Sequence, residues 1–194
     1  SDSSYLRRET ASNKLLSSGD LENVRTIAQA NQQKDAQSVA NNTEIIRNEK
    51  DITLDITQKV ASILKSKGYK VALTRSDDTY VSLQDRVTFS EKETPEIFVS
   101  IHVNSAVAVE PKGIETHYYH DYSKELARVV QNHLIKDIDT KDRGLLKSKF
   151  YVINHTTVPA ILVETGFISN EEERNELVTE ARKQKTAKAI AEGI

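Results

Sequence analysis

Two short segments, EIFVSIH (residues 96–102) and PAILVE (residues 159–164), constrain this chain more than any other feature. Each is an apolar run of strand length, and neither alternates with polar residues. A strand of that kind has to be buried on both faces, as in a parallel sheet covered by helices. Each run then stops on a group ill suited to an apolar interior, His102 in the first and Glu164 in the second.

The flanking sequence supplies covering helices. NEKDITLDITQKVASILKSKG offers Asn48 as N-cap, acids in the first turn, apolar Ile52, Ile56, Val60 and Leu64, and Gly68 as C-cap. VSLQDRVTFSEK, YSKELARVVQNHLIKDI and the tail from Asn170 also read as helices. YKVALTR, GIETHYY and KFYVI read as further strands. The expected fold is a single α/β domain with a mostly parallel central sheet of about five or six strands and helices on both faces. Residues 48–194 would form it, and residues 1–47 read as a polar N-terminal segment, either helical or a degenerate first strand.

With 194 residues, one main domain is expected. The absence of cysteine excludes disulfides, thiolate metal sites and a cysteine nucleophile. A net charge of −2 gives no broad basic field, so nucleic acid is not an expected partner. No apolar run reaches the roughly 18 residues of a membrane span. No phosphate-binding loop, dinucleotide fingerprint or G-x-S-x-G elbow is found, and a monomer is expected.

Ligands of open α/β sheets bind outside the carboxyl ends of the strands, where His102 and Glu164 fall. An isolated strand-end histidine is usually satisfied by backbone. A carboxylate after Ala-Ile-Leu-Val faces desolvation, which raises its pKa toward the range of a general base. Glu49, in the first turn of the expected helix, is favoured there by the helix dipole whatever else it does. An imidazole and a carboxylate as ligands, with a second carboxylate as base, match the logic of an open catalytic zinc site. Arg75 and Asn104 end strands and could contact substrate; His155 could contact substrate or serve as a substitute ligand. His117 and His120 form an H-x-x-H that reads as surface or loop, and His133 reads as solvated on its helix.

Together the blocks NEKDITLDITQKVASILKSKGYKVALTRSDDTYVSLQDRV, FVSIHVNS, KGIETHYY and VPAILVETGFISNEEE resemble the zinc-dependent N-acetylmuramoyl-L-alanine amidases of the amidase_3 type, from about Glu49 to Ile194. The resemblance implies that Glu49 and His102 are zinc ligands and that Glu164 is the catalytic carboxylate. It also implies peptidoglycan as substrate and a periplasmic, envelope or extracellular location.

One block of the family pattern is missing. The family opens on a strand ending in an Asp-Pro-Gly-His-Gly-Gly type turn whose histidine is the first zinc ligand, and here no histidine precedes His102. The nearest match lays AQANQQKD over that turn, with Asn31 in the histidine position. Three accounts remain open: a degenerate, zinc-poor relative; a replaced first strand; or a ligand recruited from elsewhere in the chain. The alternative to an amidase is therefore a pseudo-amidase that binds peptidoglycan or a regulatory partner.

Overall fold

The structure, a computed structural model, describes the backbone of residues 36–194 and the side chains of residues 49–194. Its elements are α1 (Ala36–Ser66), α2 (Leu83–Glu93), β1 (Phe98–Asn104), β2 (Ile114–Tyr118), α3 (Lys124–Asp137), β3 (Asp142–Lys147), α4 (Tyr151–His155), β4 (Ala160–Phe167), α5 (Glu171–Leu177) and α6 (Glu180–Gly193). The sheet has the order β1-β4-β2-β3. β1 pairs with β4 and β2 with β3 in parallel, whereas β2 runs antiparallel to β4. Among the described residues four strands stand where five or six were expected, and the sheet is mixed.

Each difference from expectation has a local cause. Residues 69–75 form no strand, since among the described residues no strand pairs with them and extended propensity becomes a strand only with a ladder partner. KFYVI contributes to α4 instead, since Phe150, Val152 and Ile153 seat together in one apolar cluster. β3 was missed because DRGLLK is a partly exposed edge segment containing Asp and Gly, both poor strand formers. Asn48 is not an N-cap: α1 runs through it, as no Gly or Pro between residues 36 and 47 stops the helix. Glu49 therefore lies in a helix interior rather than a first turn. The C-cap expectation holds, because Tyr69 N–H donates to Leu64 O and Gly68 N–H to Lys65 O, the bond pair of a Schellman ending.

Alternation along the strands makes two unlike sheet faces. One face carries Ile101, Val103, Ile114, Tyr118, Ile161 and Val163, which share a core with Ile52, Ile56, Val60 and Leu64 of α1 and with buried residues of α3 and α6. The opposite face is apolar only at one end, where Ala160 and Leu162 meet Phe150, Val152 and Ile153, with Leu83 and Val87 of α2 against them. Its other end is polar and buried.

Glu173 of α5 ties that polar end together. One carboxylate oxygen accepts the N–H groups of Gly113 and Phe167, both at 2.8 Å. The other accepts Thr140 Oγ1 at 2.8 Å and Arg182 Nη2 at 3.4 Å. Burial pushes the Arg182 guanidinium below its ordinary pKa against the opposing charge of Glu173. The starts of β2 and β3, the end of β4 and α6 are thus held from one buried side chain.

Candidate active site

His102 on β1 is in register with Glu164 on β4, and Glu164 with Glu115 on β2. Residues paired in this way project from the same face, so the three form a row across adjacent strands about 4.8 Å apart. His102 and Glu164 are 0% exposed and Glu115 is 1% exposed, so the row is dry. Just past His102 the β1–β4 register shifts: Asn104 faces Phe167, one residue more along β4 than along β1. Such a bulge re-aims side chains, and here it seats Asn104 against Glu115.

Hydrogen bonds orient the row. His102 Nε2 lies 2.9 Å from Ser100 Oγ, one step back on the same face, and Thr165 Oγ1 donates to the His102 carbonyl at 2.8 Å. Glu115 Oε1 accepts from Asn104 Nδ2 and His117 Nε2, both at 3.0 Å, and its Oε2 accepts from Arg143 Nε at 2.8 Å. His117 Nδ1 is 2.7 Å from Ser148 Oγ. A neutral imidazole satisfies both of its contacts, with Nε2–H donating and Nδ1 accepting the hydroxyl. A buried carboxylate with three such partners stays in place, whereas an unpaired one would be expelled or neutralised.

The structure disposes the other expected residues as follows. Glu49 is 4% exposed on α1, its carbonyl accepting from Thr53 Oγ1. Asn104 belongs to the row and is fully buried. Arg75 is 6% exposed and bound to the carbonyls of Asp77 and Lys50, so it fastens its loop to α1 beside Glu49. Burial pushes its guanidinium below the ordinary pKa, with Asp78, Asp51 and Asp77 opposing. His155 closes α4 before β4 begins, exposed, its Nδ1–H donating to Tyr151 O at 3.0 Å and its ring stacked on Tyr151. Four residues of β4, or roughly 13 Å at 3.3 Å each, separate that end of the strand from Glu164. Asn31 lies outside the described residues.

The surface reading of His117 is corrected. It is 1% exposed and bound to the row. Glu115, Arg143 and Ser148 were not singled out by sequence reasoning, although a signal existed for Glu115 and for the buried placement of His117. In GIETHYY the polar Glu115 and His117 alternate with Ile114, Thr116 and Tyr118, so period two already places them on one face.

Among the described residues no group of three or more His, Cys, Asp or Glu side chains is arranged to hold an ion. The donor chemistry agrees, since structural or catalytic zinc takes at least three protein ligands and no histidine precedes His102. The described residues alone do not make a three-ligand zinc centre.

A buried imidazole and carboxylate thus lie side by side at the polar end of a helix-covered α/β sheet. The chain belongs to the Amidase_3 family, described as N-acetylmuramoyl-L-alanine amidase, whose model matches residues 24–194. It is 41% identical over 150 residues to the uncharacterised protein YqiI of Bacillus subtilis, covering 75% of this chain and 72% of that one. It is 39% identical over 149 residues to the N-acetylmuramoyl-L-alanine amidase LytC of Bacillus subtilis, covering 75% of this chain but only 30% of LytC. The catalytic domain of the amidase CwlV from Bacillus (Paenibacillus) polymyxa superposes with a TM-score of 0.72 at 39% identity, over 74% of this chain and 81% of that domain. Amidases of this family are generally zinc-dependent.

Proposed function

We propose that this chain is a peptidoglycan hydrolase that cleaves the amide between the lactyl group of N-acetylmuramic acid and the L-alanine of the stem peptide, with Glu164 as general base. The observation that supports this most is the register of His102 beside Glu164, both fully buried, in a chain of the amidase family. Glu164 shares its buried face with Leu162 one step back on β4, and desolvation of a carboxylate favours its taking a proton from an attacking water. The water oxygen bonds to the amide carbon, Glu164 takes the water proton and passes it to the departing nitrogen, and the C–N bond breaks. The products are a muramic lactyl carboxylate and a free L-alanine amine.

Zinc, where bound, would polarise the carbonyl and acidify water. By resemblance Glu49 and His102 are the ligands this chain offers it, one fewer than such a site needs. Ser100 and the Thr165 hydroxyl hold the His102 ring and its backbone, and Asn104 and Glu115 brace the neighbouring strands. Peptidoglycan as substrate places the protein outside the cytoplasmic membrane, at the envelope, and the reaction needs one copy of the chain. In this reading residues 48–194 are the catalytic unit, and residues 1–47 are a polar segment, helical or a degenerate first strand, that joins it through α1.

The short ligand set favours a second reading, a pseudo-amidase that binds peptidoglycan or a regulatory partner without hydrolysis. Zinc analysis of the purified protein, with stem-peptide release measured before and after chelation and re-addition of zinc, separates the two. The amidase reading expects near-stoichiometric zinc and release that chelator abolishes and zinc restores. Metal-free protein that stays inert with added zinc yet sediments with peptidoglycan supports the pseudo-amidase instead.

A further inference from the structure

Arg143 stands at the margin of the buried row, where β3 forms the sheet's edge, and its side chain is 29% exposed. Its Nε–H is committed to Glu115 Oε2 at 2.8 Å, and its guanidinium carbon lies 4.9 Å above the Phe167 ring. Phe167 is 1% exposed, so the guanidinium lies on a fixed aromatic floor. The stem of the side chain is confined as well. A Cβ on Gly113, whose φ is +121°, would come within 2.9 Å of Arg143 Cγ and 2.3 Å of Lys141 O. Only glycine leaves that passage open. One N–H, one ring and one glycine therefore set the orientation of a group that has five N–H donors in a planar fork. Arg143 makes no ion pair besides that with Glu115 among the described residues. The partly exposed guanidinium thus sits beside Glu115, the member of the row in register with Glu164.

The geometry points to Arg143 as the residue that receives a carboxylate of the stem peptide, and so as a specificity determinant for the acid form of the residue following L-alanine; this rests on the peptidoglycan reading above. Planar, charge-assisted pairing to a carboxylate is what an oriented guanidinium provides. Glu115, which accepts the Arg143 Nε–H, is in register with Glu164 on the adjacent strand, about 4.8 Å away. In an extended peptide the carboxylate of the second residue is about 7 Å from the scissile nitrogen, so it falls beyond Glu164 in the direction of the guanidinium's strand. Glu115 acts through Arg143, as a positioning residue.

The test uses two muramyl dipeptides whose γ-carboxyl is blocked as a methylamide, as the next peptide bond blocks it in peptidoglycan: one ends in D-glutamate with a free α-carboxylate, the other carries the α-amide. Affinities are measured by calorimetry on the full chain carrying Glu164→Gln, so that neither peptide is consumed, and cleavage is followed separately with Glu164 intact. The free acid should bind about tenfold more tightly than the amide, and Arg143→Gln should bring that ratio close to one. Arg143→Lys keeps a charge opposite Glu115 and should leave an intermediate ratio, which guards against a folding defect in the Gln variant. An unchanged ratio in Arg143→Gln, or no preference in the parent, overturns the assignment, as does failure to bind either peptide. Binding with the expected preference but no cleavage by the Glu164 protein overturns the amidase reading and leaves the Arg143 assignment standing.

Discussion

Glu115 carries more of the site's order than its position in the middle of a short strand suggests. Its two oxygens draw Asn104 of β1, His117 of β2 and Arg143 of β3 into one buried array beside Glu164. Glu115→Gln keeps the shape but removes the charge that Arg143 faces, leaving that cation with a neutral neighbour. With Arg143 29% exposed, losing this charge-assisted bond costs about 1–2 kcal/mol, so urea unfolding of this variant should show that loss with an unchanged slope. A change within about 0.5 kcal/mol, the size usual for surface substitutions, would show that the array does not hold the charge. Residues were legible in the sequence where chemistry clashed with pattern: His102 and Glu164 each end an apolar run, and the structure sets them side by side. Arg143 gave no such signal, since an arginine in an edge segment is ordinary, and only the pairing of β2 with β3 discloses what it faces.

Among the elements, α1 and α6 are joined by a charge cluster as well as by apolar contacts. Asp55 accepts Lys59 Nζ at 2.7 Å and Lys183 Nζ at 2.6 Å, and Lys59 also meets Glu180 at 2.8 Å. Partial burial is the largest single influence on Asp55 and opposes its ionisation. Lys183 and Lys59 together outweigh it and hold the carboxyl below its ordinary 3.8. A depressed folded-state pKa gives stability that is fully present above the unfolded pKa of about 3.9 and is lost as pH falls through the folded value. Because the cluster is partly solvated, its contribution is under about 1 kcal/mol. Thermal unfolding of the wild type should fall more steeply below about pH 4 than that of Asp55→Asn, and the two should run parallel near neutrality. Identical acid limbs would remove the cluster from the account. Helices such as α3 and the Ile52, Ile56, Val60 and Leu64 stripe of α1 were readable from their 3.6-residue period. The α4 turn was misread as strand because Phe150, Val152 and Ile153 satisfy either period, and tertiary packing decided between them.

At the scale of the molecule, one sheet face is spent on an apolar core and half of the other on a dry polar row. The family whose model matches residues 24–194 is described as N-acetylmuramoyl-L-alanine amidase. The covered α/β class followed from two doubly buried strands, whereas strand number did not, because pairing partners are a tertiary property that local pattern does not encode. The claim on which the rest depends is that Glu164 drives amide hydrolysis in peptidoglycan. Its most direct measurement is the appearance of new L-alanine amino termini in purified peptidoglycan digested by the wild type and by Glu164→Gln. The account predicts that the wild type releases them and that Glu164→Gln slows release by about 100-fold or more, the lower range for loss of a general base. No new alanine termini from the wild type, or equal release by both proteins, would contradict it.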